Sequence, residues 1–161
     1  MELRDVTASD HAALLALNEA SVRELSPLDE KRLSYILALA YRSVVIERDR
    51  QTLAFAIAIA PGADYDSRNY ARLSERFERF LYLDRIAVAA HARRQGLGAI
   101  LYDAIEETAR PFGRVVCDVN VVPPNEPSLA FHAARGYQPL ERFEHGPQKA
   151  VVLLSKELGG G

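Results

Sequence analysis

Hydrophobic and polar positions alternate in two distinct rhythms along the chain. Leu97, Ile100, Leu101, Ala104, Ile105 and Thr108 recur at the three- and four-residue intervals of a helix with one mainly apolar face, predicting a helix over 97–110. Ala13, Leu14, Leu17 and Ala20 predict an earlier helix, opened by the capping candidates at 7–10. Leu33, Ile36, Leu37 and Ala40 predict a second, started by Ser26-Pro27-Leu28-Asp29. A short helix is expected over 127–135. The other rhythm marks strands over 2–6, 43–47, 52–60, 81–88, 114–122, 137–140 and 150–155. Arg48-Asp49-Arg50-Gln51 between two β-rich runs suggests an antiparallel hairpin, which Pro61-Gly62 ends. The resulting order, β-α-α-β-β-β-α-β-α-β-β, favours a mixed sheet over a doubly wound parallel one. Residues 63–80 stand apart. Tyr65, Tyr70, Phe77 and Phe80 lie there among many charges, and a stretch this long is either functional or partly helical.

At 161 residues the chain is expected to form one domain over 1–158, with a frayed tail at 159–161. A net charge of −2 provides no electrostatic case for nucleic acid or an anionic membrane as partner. The lone Cys117 cannot form an internal disulfide, and Met1-Glu2-Leu3-Arg4-Asp5 does not resemble a signal peptide, so a cytoplasmic location is expected. His11, His91 and His145 lack ligand spacing, and no metal is expected.

The chemistry concentrates between the strand at 81–88 and the helix at 97–110. Gly96 and Gly98 sit at the helix start, where the first backbone N–H groups lack intrahelical partners. Glycine removes the Cβ that would keep a ligand away, and the free donors and helix dipole favour a phosphate-sized anion. Arg93 and Arg94 enter the same turn and can add charge-assisted bonds. No Walker loop is present. A dinucleotide fingerprint requires a third glycine where Leu101 stands, although Asp118 falls near the ribose-binding spacing.

The strand Leu81-Tyr82-Leu83-Asp84-Arg85-Ile86-Ala87-Val88, followed by Arg93-x-x-Gly96-x-Gly98, resembles the core motif of the GNAT superfamily of N-acetyltransferases. Asn125-Glu126-Pro127-Ser128-Leu129-Ala130-Phe131-His132 and Arg135-Gly136-Tyr137 resemble its second motif. The resemblance implies an α+β fold: a mixed, mostly antiparallel sheet of about seven strands, splayed between the fourth and fifth, with about four flanking helices. It implies acetyl-CoA as co-substrate and a primary amine of a small molecule or peptide as acceptor, attacked directly without an acyl-enzyme. By analogy it also implies homodimer formation. Ile86 and Val88 would offer backbone groups to the pantetheine arm, and Arg93, Arg94, Gln95, Gly96, Leu97, Gly98 and Ala99 would cradle the pyrophosphate. Asn125 and Ser128 would bond the pantetheine, with Phe131 packed beside it.

The acid position of that family, a tyrosine directly after the residue matching Phe131, holds His132 here. Histidine near its usual pKa suits proton transfer, so His132 is the candidate acid. Asp118 and Asp84 are the candidate bases. Tyr82 shares a strand face with Asp84, and Asn120 shares one with Asp118. The insertion-like Val119-Asn120-Val121-Val122-Pro123-Pro124 leaves the register of that second strand open. Asn18, Ser26, Tyr82 and Asn120 are candidates for contact with the acceptor. Two further readings compete with catalysis: a non-catalytic acyl-CoA sensor and, more weakly, a dinucleotide-dependent oxidoreductase.

Overall fold

A computed structural model describes residues 1–21 and 25–159. Seven strands form one sheet in the order β1-β2-β3-β4-β5-β7-β6. The strands are β1 (Glu2–Asp5), β2 (Arg42–Arg48), β3 (Gln51–Ile59), β4 (Leu81–Val88), β5 (Arg114–Val122), β6 (Gln138–Glu144) and β7 (Ala150–Glu157). The helices are α1 (His11–Ala20), α2 (Glu30–Leu39), α3 (Arg68–Arg76), α4 (Leu97–Ala109) and α5 (Glu126–Arg135). The mixed, mostly antiparallel sheet agrees with expectation. Five helices rather than about four flank it. The additional one, α3, occupies the charged insertion at 63–80, and residues 160–161 of the expected tail lie outside the described residues.

α3 escapes a periodicity reading because Tyr70 and Leu73 are its only buried residues and all the others but Ala71 are polar or charged. Ser67 caps it, accepting from Tyr70 N–H, and the Tyr70 hydroxyl donates to the Ala60 carbonyl at 2.6 Å. β6 runs on to Glu144 because it pairs with β7 as far as Ala150, and β7 runs on to Glu157 because its last residues pair with Arg114 and Val115 of β5. The core lies where β3, buried from Leu53 to Ile59, meets α4 through Leu97, Leu101 and Ile105. Leu101, standing where a dinucleotide fingerprint would need glycine, is fully buried in that contact.

Every neighbouring pair of strands is antiparallel except β4 and β5, which run parallel. Their register holds only at Leu81↔Val115 and Tyr82↔Val116. Beyond those pairs the strands diverge, and the sheet is open from Leu83 and Cys117 onward. Two bulges shape the opening. The β3–β4 register passes from Ile57↔Arg85 to Ala58↔Leu83, leaving Asp84 as the extra residue. The β5–β7 register shifts between Asn120 and Val122. That second bulge takes up the residues that look inserted, and Asn125 N–H closes the turn on the Asn120 carbonyl at 3.0 Å.

Candidate active site

Two connected cavities fill the open seam. The outer one, about 420 Å³, is bordered by Ile86, Val88, Arg93, Gly98, Asn125 and Phe131, among others. The inner one, about 100 Å³, reaches Leu83, Asp84, Cys117, Asp118 and Asn120. Leu25, Ile86, Tyr102, Asn125, Ser128 and His132 border both, and so mark the junction between them.

At the outer end, Gly96 is the N-cap of α4 with φ of 79°. An L residue is strained there. The N-termini of α2, α3 and α5 are capped by the side chains of Asp29, Ser67 and Asn125, whereas α4 has no side-chain cap. Its first N–H groups are therefore open to an anion, with the exposed Arg93 and Arg94 alongside. Gln95, also exposed, accepts from Arg48 at 3.1 Å, which ties the turn to β2. Leu97 is buried and anchors the helix start, while Gly98 and Ala99 are half-buried. A Cβ on Gly98 would come 3.9 Å from Phe131 Cζ, so the missing side chain leaves the channel between α4 and α5 open.

Asn125 Oδ1 accepts from Ser128 N–H at 3.3 Å as the cap of α5, which leaves the amide nitrogen for any pantetheine contact. His132 is 4% exposed and neighbours the rings of Tyr102, Phe131 and Tyr137. Its Nδ1 lies 2.7 Å from the Ser128 carbonyl. A carbonyl only accepts, so Nδ1 carries the proton. Burial holds the His132 pKa below its usual value, so the ring is neutral and Nε2 must accept from the Tyr102 hydroxyl.

At the inner end, the Tyr82 hydroxyl donates to Asp118 Oδ2 at 2.6 Å, linking β4 and β5 just past their last register pair. Burial raises the Asp118 pKa to about 6 against the opposing Tyr82 and Asn69 hydrogen bonds, and the Asp84 charge adds to the rise. Asn69 on α3 is itself held by His145 Nε2, 2.7 Å from its Oδ1. The insertion thus reaches the carboxylate directly, and the β6–β7 loop supports it through Asn69. Asp84 differs sharply. Its side chain, 4% exposed, pairs with Arg85 Nε at 2.8 Å and accepts from the Tyr65 hydroxyl. The bulge at Asp84 lets these sequence neighbours turn to one side of the strand.

Arg85 was not evident from sequence, because an isolated basic residue in a strand carries no periodic signal. Buried to 5% exposure, it donates to Asn18 Oδ1 at 2.9 Å, the Ser26 hydroxyl at 2.9 Å and the Ser26 carbonyl at 3.2 Å. Asn18 is 1% exposed and also donates to the Ser26 carbonyl. Asn18 and Ser26 thus hold Arg85, which itself lines the inner cavity. Tyr82, 2% exposed, likewise works through Asp118. Of the four acceptor-contact candidates only Asn120 borders the inner cavity. Tyr102 was also missed. It lies four residues after Gly98, one turn on along the same helical face, and that spacing was the available signal.

The model of the acetyltransferase (GNAT) family matches residues 12–137, most of the chain. The chain belongs to the GNAT acetyltransferase family. Among solved structures, Ard1 from Thermoplasma volcanium is similar at a TM-score of 0.79 and 12% identity, with 98% of this chain and 97% of that one covered. The ribosomal-protein-alanine N-acetyltransferase from Brucella melitensis is similar at 0.73 and 22%, covering 98% and 100%. A phosphinothricin acetyltransferase from Sinorhizobium meliloti, in complex with AcCoA, is similar at 0.70 and 22%, covering 99% and 89%. These likenesses show a shared fold. No curated protein matches this GNAT chain in sequence. Among the described residues, no group of three or more His, Cys, Asp and Glu side chains could hold a metal, and no helix is long and apolar enough to cross a membrane.

Proposed function

We propose that the protein is an acetyl-CoA-dependent N-acetyltransferase acting on a primary amine of a small molecule or peptide by direct transfer. One observation carries the reading: the open seam joins an uncapped, arginine-flanked helix N-terminus at its outer end to the Asp118 carboxylate at its inner end. Arg93 to Ala99 hold the pyrophosphate through backbone N–H groups and guanidinium charge. The unpaired edges of Ile86 and Val88, with Asn125, Ser128 and Phe131, receive the pantetheine arm. The thioester then lies at the junction, where both cavities meet.

An attacking nitrogen must lose a proton as it becomes an amide, and Asp118 is the group suited to take it. Its carboxylate lines the inner cavity and has no guanidinium partner among the described residues, whereas Asp84 is committed to Arg85. Asp84 and Tyr82 therefore shape the base. A cavity of about 100 Å³ admits an unhindered primary amine on a short stem and excludes a bulky secondary one. Asn120 borders this space and contacts the acceptor.

Thiol release from acetyl-CoA, followed over a panel of small-molecule and N-terminal peptide amines, tests the reading. Turnover on a primary amine, abolished by Asp118→Asn, is the expected result. Tight acetyl-CoA binding with no turnover on any amine would support the acyl-CoA sensor instead. Parallel calorimetry with NAD(H) checks the dinucleotide reading, and binding of NAD(H) alone would overturn acetyl transfer.

A further inference from the structure

The leaving sulfur needs a partner, and His132 on α5, at the position the family resemblance gives to the acid, has its ring nitrogens engaged elsewhere. Nδ1–H of His132 is committed to the Ser128 carbonyl, and Nε2 is an acceptor. A neutral His132 held this way has no proton to give to the cavity. Its donor is Tyr102, which reaches the junction from α4 and borders both cavities. We propose that the Tyr102 hydroxyl is the hydrogen-bond donor to the departing coenzyme A sulfur, and that His132 is the positioning residue that holds this hydroxyl at the junction. The inference rests on the acetyl-CoA reading above.

The step balances without further reagents. The nitrogen–carbon bond forms, the carbon–sulfur bond breaks with its electron pair staying on sulfur, and the proton lost by nitrogen goes to Asp118. Coenzyme A leaves as a thiolate. Before reaction, a thioester sulfur is a poor acceptor and the Tyr102 hydroxyl stays on His132. As negative charge builds on sulfur, a charge-assisted bond outcompetes the neutral imidazole and the O–H turns to it. The bond strengthens only as the transition state is approached, which is the condition for accelerating the chemical step. Burial pushes the Tyr102 pKa well up, with Cys117, Tyr137 and Asp118 adding to the rise and Arg135 opposing it. The phenol therefore remains protonated and donates a hydrogen bond without surrendering its proton. Aromatic contacts fix its ring: Phe131 and Tyr137 lie 5.3 and 5.7 Å away, centroid to centroid.

Ligand binding alone can test this, with no acceptor needed. Coenzyme A and desulfo-coenzyme A would be titrated calorimetrically into wild type and Tyr102→Phe above about pH 8.5, where the free thiol ionises. Wild type is expected to favour coenzyme A by about tenfold, the lower range of a hydrogen bond to a charged group. Tyr102→Phe should erase most of that preference while keeping its affinity for the desulfo form. An unchanged preference in Tyr102→Phe, or none in wild type, would overturn the proposal. If wild type binds neither ligand, the acetyl-CoA reading itself falls. Should Tyr102→Phe fail to fold, 3-fluorotyrosine at position 102 retains the shape and sharpens the donor. The preference should then rise, and an unchanged ratio overturns the proposal. His132→Asn should lower kcat with acetyl-CoA affinity kept and reduce the same preference partially; a loss confined to stability would remove its positioning role.

Discussion

Replacing Asp118 by asparagine should abolish turnover and at the same time change how stability depends on pH. In the folded protein the carboxyl has a pKa of about 6, against 3.8 for the free side chain. Between those values the folded state holds a proton that the unfolded state has released. Stability therefore falls as pH rises from about 4 to about 6, and levels off above. At about 1.36 kcal/mol per unit, the difference corresponds to roughly 3 kcal/mol. That is an upper limit, because Asp118 borders a cavity and is only half-buried as a residue. Asparagine cannot ionise, so this loss disappears in the variant. Its amide oxygen can still accept from Tyr82, but its NH2 would face the donor of Asn69, at a cost of about 1–2 kcal/mol at every pH. The variant should thus be less stable than wild type near pH 4 and equal or better near pH 7.5. Thermal melts at intervals between those limits would show a relative gain of several degrees for a domain of this size. A Tm difference that stays flat over the range, or grows in the wild type's favour as pH rises, would refute the assignment of a raised carboxyl pKa. If Asp118 takes the proton as proposed, the activity profile follows from the same titration: in wild type, the rate should rise as pH increases through about 6, when its carboxylate becomes free to accept a proton.

Other expectations concern the two ends of the seam. Arg85→Met leaves Asp84 buried beside Tyr65 with no cation, and should cost about 3–5 kcal/mol in chemical denaturation; a loss below 1 kcal/mol would mean that Asp84 is satisfied without it. Gly98→Val should leave Tm within a few degrees yet weaken acetyl-CoA binding at least about tenfold in calorimetry, because the side chain would enter the channel beside Phe131. Arg93→Ala should raise the dissociation constant several-fold at low salt and less at high salt, since screening weakens an exposed charge; a salt-independent loss would argue against a phosphate contact.

The elements at the outer end of the seam were legible in the sequence because their parts are close together along the chain. The β4-turn-α4 unit and the Asn125 cap of α5 are each built within a few residues, so spacing alone places them. The inner end is assembled differently. Asp118 meets Tyr82 across 36 positions, and Arg85 meets Asn18 across 67. No local pattern encodes such meetings. Asn18 and Ser26 therefore looked like acceptor contacts, although a buried guanidinium claims them. His132 looked like a stand-alone acid because the backbone carbonyl that fixes its tautomer is silent in the sequence. α3 remained ambiguous for a packing reason, since only Tyr70 and Leu73 of its nine residues bury against the body.

The two register pairs that join β4 to β5 have a consequence for motion. They make this sheet two smaller sheets fastened at one end, each presenting a row of backbone groups to the gap much as an outer strand presents them to water. Amide hydrogens lining the gap in the ligand-free protein should therefore exchange faster than those of β3, which is paired on both sides. A bound pantetheine would serve as the missing strand between the halves, slowing that exchange on both at once. The donor substrate would then act as a structural member, and its departure after each turnover would loosen the sheet that had just held it.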